Sequence, residues 1–429
     1  MLLLCPYHPV SGYYFCMSKK YDTKLNTIFY FISLILLLQP PCVTQIDWLY
    51  KIYIFGASIS CLILLIKYSF QKQKNITINL IILFSLYITS FTLVKGGYTL
   101  SAAKLAVHLT GLSIWTYNFT SKNIQKFFKM LILVCEFYIF INFITFIIFP
   151  NGMYYQYRMQ NWFLGYKNFH IRYFIPSLCL IYIYLVKYNK CKIYIFNTIF
   201  VTIVVFISVI LSKSTTAFIG LLFFLIPICF SHFKKIVFMN WISLFKCYII
   251  AIITSILMIF YNIQENFAFL IVSLFHKSIS LTGRTGIWNS ALYYINESPI
   301  WGLGFQEMDA LAIQIGGHAH THNYYLNLVY ISGFFGLTIF TIIWYQVSVS
   351  LMNKKTDSSS NIILFALTAF LVMGLSEAII TTAPLLTVIL ILAENQYLQS
   401  ARKNKQNHIV VLSENKGKYS TIKQNLYNL

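Results

Sequence analysis

Apolar runs, each about as long as a membrane crossing, recur along almost the whole chain and are separated by short polar connections. A helix needs about 20 predominantly apolar residues to cross the hydrocarbon core of a bilayer. About twelve stretches meet that need, roughly residues 25–43, 48–66, 76–94, 98–117, 127–149, 171–187, 193–211, 215–231, 246–262, 324–349, 361–377 and 380–395. The runs are continuous rather than alternating, so they read as helices and not as the wall of a transmembrane barrel. The pattern predicts an all-α fold, a polytopic transmembrane helix bundle with one large extracytoplasmic loop containing short helices. Residues 1–24 then form a cytoplasmic N-terminus, 25–262 spans one to nine, 263–323 the large outer loop, 324–395 spans ten to twelve, and 396–429 a basic cytoplasmic tail.

Composition agrees. Of 429 residues, 58% are hydrophobic and 10% charged, whereas a soluble domain carries about 25% charged residues to cover its surface. The net charge of +21 is a matter of topology. Most lysines fall before span one, in alternate loops (Lys67, Lys72, Lys74; Lys122, Lys126, Lys129; Lys187, Lys190, Lys192; Lys234, Lys235, Lys246; Lys354, Lys355) and in the tail. Cytoplasmic loops carry that excess, so both termini are expected inside, and no nucleic-acid partner is expected. The basic loops also attract anionic membrane lipid. The 9 cysteines lie mostly within spans and form no CxxC, which suits small buried hydrophobes. No cleavable signal peptide is expected. Residues 1–16 differ in character from the rest of the chain, and Met17 would make an ordinary start.

Polar chemistry concentrates on the outer side. The connection from Asn262 to Asn323 runs to about 60 residues, a length usually reserved for function, and a smaller outer loop spans Pro150 to His170. Every arginine but Arg402 lies in or beside these loops: Arg158, Arg172 and Arg284. Phe267, Leu270, Ile271, Leu274 and Phe275 recur at helical spacing and predict a helix in the membrane interface or packed on the bundle. A second helix comes next, with Ile287, Trp288, Ala291, Leu292 and Ile295 as its buried stripe and Pro299 as its stop. Arg284 stands where this helix begins, among Thr282, Gly283, Thr285 and Gly286. Helix N-terminus and guanidinium together suit a phosphate, while an arginine reaching lipid headgroups is the plain alternative. His318, His320 and His322 alternate and invite a zinc reading. No carboxylate-bearing helix pairs with them, so no metal is expected, and one histidine acting as base or hydrogen-bond donor fits better. Gly333 and Gly336, early in span ten, permit close helix packing.

His322-Asn323, then YYLNLVYIS, then Gly333-Phe334-Phe335-Gly336 resembles the signature of the O-antigen ligase/polymerase family of bacterial membrane glycosyltransferases. In that family a histidine and an Asn, Ser or Gln precede Gly-x-x-Gly by nine residues. Arg284 with Trp288 four residues later, and SPIWGLGF from Ser298 to Phe305, are similar too, so the resemblance is close over 281–336. It implies a glycan donor on undecaprenyl diphosphate at the outer leaflet of the inner membrane. An acceptor hydroxyl attacks the anomeric carbon without a metal or other cofactor. By resemblance, Arg284 and a second arginine, Arg158 or Arg172, hold the diphosphate, and His322 orients or deprotonates the acceptor. Asn323, Gly333, Gly336, Trp288 and His320 support the motif. The expected reaction is polymerisation of a surface polysaccharide, O-antigen or capsule, with ligation of polymer to lipid A core as the alternative. The chain-length regulator and flippase of the same pathway are the expected protein partners.

A flippase or other transporter is the competitor from another class. Coupled transporters keep ionisable residues in mid-membrane, and here only Lys104, His108 and Glu136 lie inside spans away from their ends. No internal repeat of the kind common in transporters is found. Metal-dependent lipid-sugar transferases show paired acids in the first outer loop, which holds only Asp47.

Overall fold

The computed structural model describes residues 26–156, 159–188, 191–233, 243–263, 284–316, 320–353, 357–378 and 383–394. The expected interfacial helix around 267–275, Arg158 and His318 lie outside the described residues. Thirteen α-helices are described: α1 Asn26–Leu37, α2 Asp47–Ser69, α3 Ile76–Val94, α4 Thr99–Ile148, α5 Ile171–Tyr188, α6 Lys192–Ser212, α7 Thr215–Phe233, α8 Leu244–Tyr261, α9 Arg284–Ile295, α10 Met308–Gln314, α11 Tyr324–Met352, α12 Ser358–Met373 and α13 Pro384–Glu394.

Each predicted apolar stretch corresponds to a helical segment, but not every segment is long enough by itself to count as a crossing. Among the described residues, 7 helices are long and apolar enough to cross a membrane, while α1, α12, α13 and the apolar part of α7 are shorter. Two predicted spans run together in α4, whose 50 residues are interrupted only at Asn123, with φ −155° and ψ 92°. There the Asn123 Oδ1 accepts from the Lys126 N–H at 2.9 Å. Asn123 therefore caps the second half as a separate helix would be capped.

The two ends of the bundle differ in charge. At one end Tyr68 donates to Asn79 Oδ1 at 3.0 Å, Gln71 bonds Asn118, and Asn75 and Thr77 bond Glu394 of α13. Lys67 stands in the last turn of α2, Lys72 and Lys74 lie in the connection after it, and Lys122 and Lys126 flank the break in α4. At the other end, Cys42 N–H donates to the Phe163 carbonyl at 3.2 Å and Tyr98 N–H to the Phe305 carbonyl at 2.7 Å. This second end carries Arg172 and Arg284.

A small sheet, absent from the sequence expectation, occupies that arginine-bearing end. Strands β1 (Tyr154–Gln156), β2 (Met159–Trp162) and β3 (Gly165–Tyr166) pair antiparallel in that order, with Tyr154 opposite Asn161 and Asn161 opposite Tyr166. The aromatic residues Tyr154, Tyr155, Trp162 and Tyr166 suit such strands. The sheet is fastened to α4: Asn142 Oδ1 accepts from Leu164 N–H at 2.9 Å, and Trp162 Nε1 donates to the Phe149 carbonyl at 2.8 Å. His170, fully buried, bonds the Gly165 carbonyl at 2.8 Å. These bonds fix the path of residues 167–172 as the chain enters α5.

Helix α11 is broken at Gly333, with φ +61° and ψ −169°. Residues 299–304 run alongside the break: Leu303 N–H donates to the Tyr330 carbonyl and Gly304 N–H to that of Ile331, both at 2.9 Å, while Phe334 N–H donates to Pro299 at 2.9 Å and Phe335 N–H to Ile300 at 3.1 Å. The expectation that Gly333 is a packing glycine is therefore corrected. It is the hinge at which the helix opens to accept a strand-like neighbour. A Cβ there would stand 2.2 Å from the Ile300 carbonyl oxygen, in a backbone region open only to glycine. Gly333→Ala is expected to lower stability by about 3 kcal/mol, read as thermal unfolding of the purified protein in detergent. Gly316→Ala also has positive φ but nothing within 4 Å, and is expected to lower it by only about 1 kcal/mol.

Candidate active site

The buried stripe predicted for α9 is found: Ile287, Trp288, Ala291 and Ile295 are buried against α11 and α8, with Leu292 partly so. That packing carries Arg284, the first residue of α9, to the carboxylate of Glu377, just past the end of α12. The guanidinium Nη2 lies 3.1 Å from Glu377 Oε1. His322 Nδ1 lies 3.3 Å from the other oxygen, Oε2. Asn168 Nδ2 donates to Oε1 at 2.8 Å and accepts at its own Oδ1 from Ser214 at 2.7 Å. One carboxylate thus joins Arg284 to His322, two residues expected from the sequence to share a site.

The backbone around His322 is held from several sides. Trp288 Nε1 donates to the Thr321 carbonyl at 3.0 Å. Asn323 caps α11, its Oδ1 accepting from Leu326 N–H at 3.0 Å and from Ser255 at 3.0 Å, while its Nδ2 donates to the Leu375 carbonyl at 3.1 Å. Tyr324 N–H donates to the Gly374 carbonyl at 2.7 Å. The turn bearing Glu377 and the turn bearing His322 are therefore tied backbone to backbone. His322 itself has φ +52°, a conformation a non-glycine residue adopts at some energetic cost and one that recurs at functional sites.

Electrostatics favour an ionised carboxylate. Burial alone raises a carboxyl group, but the hydrogen bond and charge of His322, with the charge of Arg284, outweigh it and hold Glu377 down to about 2. Burial lowers Arg284, with Glu377 opposing. Burial, reinforced by the charge of His322, pushes His320 down to about 3, so His320 is neutral near pH 7. It accepts the His322 N–H at Nδ1, at 3.2 Å, and its ring centroid is 4.1 Å from that of His322. Glu377 is 1% exposed and the His322 side chain 21%, which leaves the histidine as the reachable member of the pair.

Arg172, in the first turn of α5, lies beside this centre rather than in it. Its guanidinium carbon sits 3.7 Å from the Phe169 ring centroid, and Phe169 in turn is 6.4 Å from the His320 ring. Gly336 is a packing glycine as expected, since an added Cβ would meet Ser332 and Phe84. Sequence reading missed Glu377, Asn168 and Ser214 as members of the site. The available signal was Glu377 as the single charge in the long apolar stretch between Asp357 and Glu394.

His320, His322 and Glu377 offer ligand atoms within 4.8 Å of one another, a spacing a metal ion could bridge. Glu377 already serves Arg284 and Asn168, and His320 Nδ1 the His322 N–H, so a cation there would face a guanidinium sharing its carboxylate.

The fold and this centre define an integral membrane protein with an arginine–carboxylate–histidine site at one end of a helix bundle. Residues 200–341 match the family model described as O-antigen ligase, so the resemblance to the O-antigen ligase/polymerase family is borne out over about a third of the chain. The match supports a membrane enzyme of O-antigen ligase type acting on lipid-linked polysaccharide. It takes in Arg284, His322, Gly333 and Gly336, and stops short of Asn168, Arg172 and Glu377 on either side. No curated protein matches the chain.

Proposed function

We propose that this protein polymerises a bacterial surface polysaccharide, O-antigen or capsule. It transfers glycan from undecaprenyl diphosphate to the next lipid-linked repeat unit at the outer leaflet of the inner membrane. The observation that carries the reading is the meeting of Arg284 and His322 on one buried carboxylate, within a chain whose matched segment is O-antigen ligase-like. The sided lysines support placing that centre outside and both termini within the cytoplasm. About twelve crossings satisfy this arrangement, with the short helices completing the count by tilt or local thinning of the bilayer.

An Nδ1 proton on His322 directed at Glu377 leaves Nε2 as the base. The acceptor hydroxyl gives its proton to that nitrogen as its oxygen bonds to the anomeric carbon. The bond from that carbon to the diphosphate oxygen breaks, and its electron pair departs with the diphosphate. Glu377 stabilises the imidazolium, and Arg284, with Arg172, stabilises the departing charge. No step calls for a metal. The clustering of His320, His322 and Glu377 favours a metal-bound variant as second reading, and loss of activity on chelation, restored by zinc, would establish it.

The deciding measurement is the glycan ladder from a deletion strain complemented with wild-type or variant genes. A polymerase gives glycan limited to one repeat unit, restored by wild type. Full-length polymer held on its lipid carrier would mean a ligase, and repeat units trapped on the cytoplasmic leaflet a flippase. Arg284→Lys is expected to restore little, because a single ammonium cannot bond the Glu377 carboxylate and at the same time present a planar fork of donors to a diphosphate.

A further inference from the structure

A cavity of about 360 Å³ adjoins the charged centre, between the end of α1, the first turns of α4 and the segment that carries the sheet. Arg172, Tyr166 and Phe169 line it on the side that reaches Glu377 and His320, and Lys104 of α4 lines it as well. Three polar atoms in its walls, Arg172 Nε, Gln39 Nε2 and Tyr154 Oη, are buried with no hydrogen-bond partner among the described residues. Buried polar atoms are nearly always satisfied. Three such atoms around one space, two of them obligate donors, suit a ligand rich in acceptor oxygens.

Charge leads to the same place. Arg284 is matched by Glu377, whereas Arg172 and Lys104 have no carboxylate within ion-pair distance among the described residues. Lys104 Nζ lies 4.8 Å from the Tyr50 ring centroid, a contact that steadies an ammonium without neutralising it. His108, the other ionisable neighbour on α4, is occupied with the Leu37 carbonyl at 2.7 Å. Two cations without an ion-pair contact beside apolar helices are expensive and are kept for use. A sugar–diphosphate–lipid carries two negative charges, and the departing diphosphate gains a third, so one free arginine leaves it under-matched.

We infer that this cavity takes the diphosphate of the lipid-linked donor, and that Lys104 is a substrate-binding residue there, acting with Arg172 and with Gln39 as a neutral donor. The inference deepens the reading above and rests on it. Lys104 and Gln39 lie far outside the matched segment 200–341.

The test measures binding of undecaprenyl diphosphate to the purified full-length protein in phosphatidylcholine nanodiscs. Lys104→Gln is expected to weaken binding about tenfold, Lys104→Arg to restore most of it, and Gln39→Leu to weaken it less. In turnover, Lys104→Gln should raise KM for the donor with kcat little changed, as loss of binding shared by ground and transition states does. Its thermal stability should be equal or higher, because an uncompensated charge has been removed; a merely structural lysine would show the reverse. Wild type that binds, with Lys104→Gln and Gln39→Leu binding as tightly, overturns the inference alone. Wild type that does not bind overturns the donor assignment and this inference with it. Displacement of the probe by phosphatidylglycerol in the nanodisc would reveal an ordinary headgroup site and overturn it too.

Discussion

His322→Asn is expected to abolish polymer formation while leaving a folded, membrane-inserted protein. The choice of asparagine rests on the backbone. His322 has φ +52°, a region that asparagine tolerates better than other side chains with a Cβ. Alanine would add about 1 kcal/mol of strain to the chemical loss and blur the reading. Asparagine keeps a polar group beside Glu377 but cannot take a proton from an acceptor hydroxyl. General base catalysis contributes about 10²–10⁴-fold, so turnover with purified enzyme and lipid-linked substrate should fall by about 10³-fold at unchanged donor affinity. Retained turnover in His322→Asn would remove histidine from the chemistry and leave it a role in shape alone.

Glu377→Gln is the second large effect expected, and it reaches both stability and rate. The amide keeps the size of the carboxylate but removes the charge that balances Arg284 and His322, and its NH2 must then face donors already aimed at that position. A hydrogen bond to a charged group is worth about 1.5–3 kcal/mol, so unfolding should become easier by about 3 kcal/mol. Activity should drop by about 10²-fold or more as the imidazolium loses its partner. Glu377→Asp keeps the charge but is one methylene short, and should be intermediate. The pH dependence has a definite sign. The folded carboxyl is depressed from its ordinary 4.5 to about 2, so its contribution is full above pH 4.5 and is lost as pH falls toward 2. The stability difference between wild type and Glu377→Gln should therefore be flat near neutrality and shrink over that acid window. A difference growing on the alkaline side would contradict the ion pair.

What the sequence makes legible is local. Apolar runs declare helices because burial in lipid demands them, and the stripe Ile287, Trp288, Ala291, Ile295 declares the face of α9 because 3.6-residue periodicity puts it on one side. Arg284 and His322 stand out because arginine is scarce and the His322-to-Gly333 spacing is fixed. The partner that joins them is not local: Glu377 reaches Arg284 and Asn168 across sequence separations of 93 and 209, and nothing near Glu377 announces which distant donors it will meet. The sheet escaped because its strands are 2–4 residues long, too short for an alternation to register. Gly333 was misjudged because a glycine in an apolar run looks the same whether it admits a neighbouring helix or opens the backbone to a strand.

Because the centre draws on Asn168, Arg284, His322 and Glu377, it comes into being in the order in which the chain is made. Ribosomes add about 5–20 residues per second, so the histidine turn exists for seconds before the carboxylate that balances it has been synthesised. Through that interval a nascent chain holds the family-matched segment without a working centre. The turn at the end of α12 is the last part of the centre to be delivered.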